Sequence, residues 1–208
     1  MKSILLLFTL FFHLLSHTQT IEEVRAALTD ITNLRQIEDL EKAHPAWYIT
    51  EIKTLESDSL LFPQVIKGNV GDIVTKTGNL IPSTDLHKIL VEEEIEVCRA
   101  QYIYLNGSNL SDNELEIIKK EILTRYDKGA NFRELIDEYT MESTKSGDTG
   151  WYYKGMMLDE FENAVSAHNK GDVFVVDVPK NKRYFIILKT HDNKMERAKI
   201  GVSITYKG

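Results

Sequence analysis

Apolar positions along this chain alternate between helical and strand spacing. Ile21, Val24, Leu28 and Ile31 fall on one helical face, and Thr20 followed by Glu23 supplies a capping box at its start. Residues 33–39 predict a second helix, which Pro45 stops. Residues 47–54 predict a strand, and residues 62–66 a short helix ending at Lys67-Gly68. Residues 70–75 and 86–92 predict two more strands, with Gly78, Asn79 and Pro82 in the loop between them. Glu92-Glu93-Glu94 interrupts the pattern and predicts a solvated domain boundary. A strand over 99–105 follows. Ser111 and Glu114 then form a capping box for a helix that buries Leu115, Ile118, Ile122 and Tyr126. Residues 131–137 predict a further helix, and 173–178, 184–190 and 197–206 predict strands. Helices and strands are mixed without a strict alternation, which makes the fold class α+β.

Between these elements lies the most informative stretch. Gly147-Asp148-Thr149-Gly150 has the composition of a tight turn, and Trp151-Tyr152-Tyr153 is a short aromatic strand. Asp159 followed by Glu162 predicts a helix cap with its reciprocal acid, Phe161, Ala164 and Val165 share one face of that helix, and Lys170-Gly171 closes it. Met157 and Phe161, four apart at the helix entrance, project toward one place.

From Gly147 to Phe161 this stretch resembles, without a gap, the centre of a parvulin-type (PpiC-like) peptidyl-prolyl cis-trans isomerase domain. That family's pattern is Gly-Asp-Leu-Gly and two aromatics, then Gly-x-Met-x-x-x-Phe, then a helix ending in Gly. Thr149 stands in the Leu position. The resemblance extends over residues 97–190 and implies an antiparallel sheet flanked by helices. It also implies rotation of X-Pro amide bonds in proline-containing or unfolded polypeptides, with no cofactor and no metal. By the same resemblance Met157 and Phe161 hold the proline ring and Thr149 lines the pocket. The family's two strand histidines are replaced by Tyr102 and Phe185, and its Asp or Cys after the second helix by Glu142. Tyr102, Glu142 and Phe185 therefore surround the amide, and Tyr102 and Glu142 are types that hydrogen-bond each other.

Two readings of the activity follow. One is a peptidyl-prolyl isomerase of reduced polarity. The other is a peptide-binding or chaperone module that keeps the apolar half of the pocket without catalysis. A structural subunit of a surface complex is a third, with less support.

Composition narrows the setting. The chain has 208 residues, a net charge of −7 and one cysteine, Cys98, so it forms no internal disulfide and carries no basic stripe for nucleic acid. Lys2 followed by the apolar run 4–15 and a polar segment predicts a secretory signal peptide over residues 1–20, hence an exported chain, periplasmic or secreted, with no integral membrane segment after cleavage. His44, His168 and His191 lack metal-ligand spacing, and His87 reads as a strand-surface residue. Cys98 reads as half-buried.

An internal repeat completes the picture. Asn33-Leu34-Arg35 recurs as Asn131-Phe132-Arg133, and Arg99-Ala100 as Arg197-Ala198, both 98 positions later. Lys67-Gly68 resembles Lys170-Gly171 at a slightly larger offset. The expectation is a duplicated parvulin-like unit whose first copy, residues 21–95, is truncated: it lacks a first strand, and the strand 197–206 has no domain of its own behind it. That strand is expected to add to the sheet of the first copy, because an unpartnered apolar strand leaves its edge unpaired.

Overall fold

A computed structural model of the chain describes residues 20–77 and 83–206. Residues 1–19 of the expected signal segment and the loop with Gly78, Asn79 and Pro82 lie outside the described residues. Six helices and eight strands follow in the order α1 (Ile21–Asp30), α2 (Gln36–Ala43), β1 (Tyr48–Leu55), α3 (Pro63–Lys67), β2 (Ile73–Thr77), β3 (Thr84–Cys98), β4 (Ala100–Asn106), α4 (Asp112–Asp127), α5 (Phe132–Tyr139), β5 (Tyr152–Tyr153), α6 (Asp159–Ala167), β6 (Val173–Val178), β7 (Arg183–Lys189) and β8 (Lys194–Tyr206). The class is α+β. Among the described residues no helix is long and apolar enough to cross a membrane.

The chain divides into two compact units. Of the described residues, 20–53, 62–91 and 199–206 form the first, and 54–61 and 92–198 the second. The sheet of the first unit runs β1-β8-β3-β2. Val24 and Leu28 of α1 and Ile37 and Leu40 of α2 pack with Leu86, Leu90, Val202 and Ile204 in its core. The C-terminal strand is thus a central strand of this unit. Gly201 is required there because a Cβ would lie 1.8 Å from the Lys88 carbonyl oxygen.

In the second unit, β4, β7 and β6 form an antiparallel sheet in that order. Alternation along the strands sends Ile103, Leu105 and Ile186 to one face, against Leu115 and Ile122 of α4 and Phe132, Leu135 and Ile136 of α5. Ala100, Phe185 and Ile187 go to the other, against Tyr152, Phe161 and Val165.

Local bonding in the two units repeats closely. The amide of Gly71 donates to Ile89 O (2.8 Å), and Ile89 N to Asp72 O (3.0 Å); Gly171 donates to Lys189 O (2.8 Å), and Lys189 N to Asp172 O (3.0 Å). Asp72 and Asp172 each accept from the Asn three residues earlier at 2.8 Å. The pairing of Ile73 with Lys88 in β2 and β3 recurs as Val173 with Leu188 in β6 and β7. Asn33 and Asn131 each accept the amide of the Arg two residues on.

Several sequence expectations need correction. Glu92-Glu93-Glu94 does not interrupt the strand but is exposed strand inside β3, with the division between the two units at its start, Val91 to Glu92. Residues 70–72 are a turn, and β2 starts at Ile73. Gly71, with φ of +100°, resembles Gly171 at +95°, whereas Gly68 has φ of −71°. His87 is only 4% exposed rather than on the strand surface, and Cys98 is buried rather than half-buried.

Candidate functional site

The loop after α5 and the turn at 147–150 fix β4 from one edge. Tyr102 N donates to Gly147 O at 2.8 Å and Thr149 N to Ala100 O at 3.0 Å. Gly147 has φ of +57°, and a Cβ there would meet Ile136 at 2.5 Å and the Tyr102 carbonyl at 2.9 Å, so both conformation and space demand glycine. Arg99 grips Asp148 through two bonds, Nε to Oδ1 at 3.1 Å and Nη2 to Oδ2 at 2.8 Å, and Asp148 Oδ1 accepts the Gly150 amide at 2.9 Å. Further along, Met141 N donates to Tyr104 O (2.8 Å) and Tyr104 N to Thr140 Oγ1 (3.2 Å). This draws the segment 140–142 along β4 and brings Glu142 to the Tyr102 hydroxyl.

The result is a cleft of about 510 Å³ on the α6 side of the sheet. Tyr102, Glu142, Met157, Phe161 and Phe185, five of the six residues singled out from sequence, line it together. Thr149 does not. Its hydroxyl is occupied by the backbone of Ala100 and Gly150, at 3.0 Å to Ala100 N and 2.7 Å to Gly150 O, so this position serves the turn rather than the cleft wall.

The cleft floor is aromatic. Phe161 meets Tyr102 edge-on at 5.8 Å between centroids and Phe185 at 5.3 Å, and Phe185 meets Tyr102 at 6.2 Å. Phe161 is 3% exposed, so it is floor and core at once, whereas Met157 is half-buried and free to contact a guest. The Tyr102 hydroxyl donates to both oxygens of Glu142, at 3.0 and 2.9 Å. Burial first, then the hydrogen bond and charge of Glu142, push the Tyr102 phenol above its ordinary range. It therefore remains a donor at neutral pH.

Sequence reading missed four lining residues, Tyr104, Met156, Leu158 and Arg183. Two of them had a signal. Tyr104 is two positions from Tyr102 on β4, and Arg183 two from Phe185 on β7, so the strand period places them on the cleft face. It also mistook the cap of α6. Leu158 is the N-cap residue, and no side chain caps the helix there. Glu162, 5% exposed, reaches back instead to the loop that carries the methionines. Its Oε1 accepts Gly155 N at 2.9 Å and Met157 N at 2.8 Å, and its Oε2 accepts Gly155 N at 3.0 Å.

Such a site suits chemistry in which no bond breaks. Rotation about a peptide C–N bond faces a barrier of about 18–20 kcal/mol, set by amide resonance. An aromatic cleft that displaces water from a bound amide disfavours the dipolar planar form relative to the twisted one, in which resonance is lost. Among the described residues no cluster of His, Cys, Asp and Glu is placed to hold a metal ion.

The family model described as PPIC-type PPIASE domain matches residues 84–194, just over half of the chain. Chaperone SurA of Alkalilimnicola ehrlichii is 27% identical over 86 residues, 39% of this chain and 20% of that protein. Foldase protein PrsA of Geobacillus kaustophilus is 32% identical over 82 residues, 38% of this chain and 28% of that protein. The match thus spans less than a third of the length of either relative. A solved structure of the peptidylprolyl isomerase PrsA from Bacillus anthracis is 30% identical, covering 47% of this chain and 42% of that one, with a TM-score of 0.38.

Proposed function

This chain belongs to the family of PPIC-type PPIASE domains, and on that premise we propose that its second unit binds X-Pro segments of extended or unfolded polypeptides and accelerates their cis/trans isomerisation. The observation that carries this reading is the single cleft in which Met157, Phe161, Phe185 and Tyr102 converge beside Glu142. The proline ring sits against Phe161 and Phe185 under Met157. Tyr102 and Glu142 hold each other at the edge, so neither offers an unpaired polar group to the apolar part of the guest. Names of the relatives, a chaperone and a foldase, are in keeping with polypeptide clients. The apolar run near the N-terminus supports an exported setting, for which a processed N-terminus close to Thr20 in the isolated protein is the check.

Exchange NMR on a short X-Pro peptide tests the activity. Met157→Ala is the clean probe, because Phe161→Ala would also destabilise the core by about 3–5 kcal/mol. Acceleration that Met157→Ala reduces supports the reading. A peptide that shifts the Met157 resonances without acceleration favours the second reading, a binding module. Replacement of both family histidines by Tyr102 and Phe185 is the observation on that side. A peptide that does neither overturns both.

We also propose that the first unit is a degenerate second copy, with β8 standing where β4 stands in the second unit. The shared sheet order, β8-β3-β2 beside β4-β7-β6, and the repeated register support this. Removal of β8 tests it, as set out below.

A further inference from the structure

Resting on the proline-binding reading, a second feature of the cleft bears on which X-Pro segments it takes. The turn between β6 and β7 carries Lys180 and Lys182, and β7 opens on Arg183, all three exposed, in a chain whose net charge is −7. Among the described residues no ion pair engages any of the three. Three neighbouring surface cations are most often a solvated surface, but here Arg183 itself lines the cleft.

The sheet register gives its place. Asn106 pairs with Arg183, Tyr104 with Phe185 and Tyr102 with Ile187. Arg183 therefore stands on the face of Phe185, one pleat repeat or about 7 Å further along the strand. Tyr102, with Glu142 bonded to its hydroxyl, stands one repeat away in the opposite direction. The cleft has a positive end, an aromatic middle and a negative end.

An extended peptide advances about 3.3 Å per residue. With its proline against Phe161 and Phe185, the residue two positions away lies level with Arg183, and the adjacent residue lies within the reach of a guanidinium. We propose that Arg183, reinforced by Lys180 and Lys182, makes the cleft selective for X-Pro segments bearing an anionic side chain within two positions of the proline, and that Glu142 disfavours the reversed placement. A carboxylate and a phosphate share the chemistry a guanidinium fork recognises.

The test titrates the full chain with a neutral X-Pro peptide and with versions carrying Glu, phosphoserine or Lys one or two positions to either side of the proline. Resonances of Met157 and Phe185 report binding. The Glu peptide is expected to bind roughly three- to tenfold tighter than the neutral one and the Lys peptide more weakly. The ratio should shrink toward one in about 0.5 M salt, where screening acts within a few ångströms. It should collapse in Arg183→Gln and fall part-way in Lys180→Gln with Lys182→Gln. Phosphoserine well above Glu identifies phosphorylated segments as the preferred source, and parity identifies acidic ones. Equal affinity for Glu, neutral and Lys peptides, or a Glu advantage that survives Arg183→Gln, overturns the selectivity while leaving proline binding intact. Absence of binding by every peptide overturns the proline-binding reading and this one with it.

Discussion

Glu162 offers the sharpest test of how the cleft is kept in shape. Its carboxylate is buried and accepts the amides of Gly155 and Met157, so Glu162→Ala leaves two backbone donors of the methionine loop without their partner. A hydrogen bond to a charged group contributes about 1.5–3 kcal/mol. Gly155 is exposed and Met157 half-buried, so water replaces part of what is lost. About 2–3 kcal/mol remains as the cost, which makes an open loop roughly 30- to 150-fold more populated. Amide hydrogen exchange reads this directly. Exchange at Gly155 and Met157 should accelerate by that factor, while Ile103 and Ile186 in the sheet stay protected. Peptide affinity should fall with the closed fraction of the loop. Glu162→Gln keeps one acceptor oxygen and should lie between the two. Unchanged exchange at Gly155 and Met157 in Glu162→Ala would refute the reasoning, since it would mean that the loop holds its form without the carboxylate.

Two further expectations concern the first unit. His87 is 4% exposed, and neither of its ring nitrogens has a hydrogen-bond partner. Burial, countered by Asp85 and assisted by Lys76, holds its imidazole below the ordinary value of 6.5. The unfolded chain then takes up the proton first. The His87 contribution is fully present above pH 6.5 and is lost as the pH falls from there through the lower folded-state value. Denaturant unfolding of this unit should show that loss as the pH falls below 6.5, and His87→Leu should flatten it; identical pH slopes in the two proteins would sink the argument. Ending the chain at Ala198 removes Val202 and Ile204, both fully buried and each contributing about 1.5–3 kcal/mol, together with a central strand. The first unit should lose protection at Leu86 and Leu90 while the β4–β7 pairing of the second keeps its own, and retained protection at Leu86 and Leu90 would contradict it.

What could be read from sequence was what is decided locally. The capping boxes of Thr20 with Glu23 and Ser111 with Glu114 form as read, because each needs only four consecutive residues. Asp159 and Glu162 have the same spacing, yet Glu162 goes to Gly155 and Met157, whose amides the loop brings closer than the cap position. Alternation failed for β3, where residues 86–90 are all buried, so a rule of one wet face placed His87 outside. The charged run 92–94 looked like a break because composition does not reveal that a strand continues with its side chains in water. In the cleft, Met157 and Phe161 were legible through a motif, and Tyr102 and Glu142 through the positions they replace. Arg183 was legible only through the strand period from Phe185, whereas its pairing with Asn106 joins residues more than seventy apart in the chain.

The position of β8 also sets an order in time. A ribosome delivers α1 and α2 well before Val202 and Ile204, so the core these residues share stays open until β8 has emerged. The second unit, whose sheet closes at Lys189, has every strand of its cleft in hand earlier. The unit whose helices are made before the other is therefore completed after it, and through that interval its apolar α1 and β3 surfaces are themselves those of a nascent client.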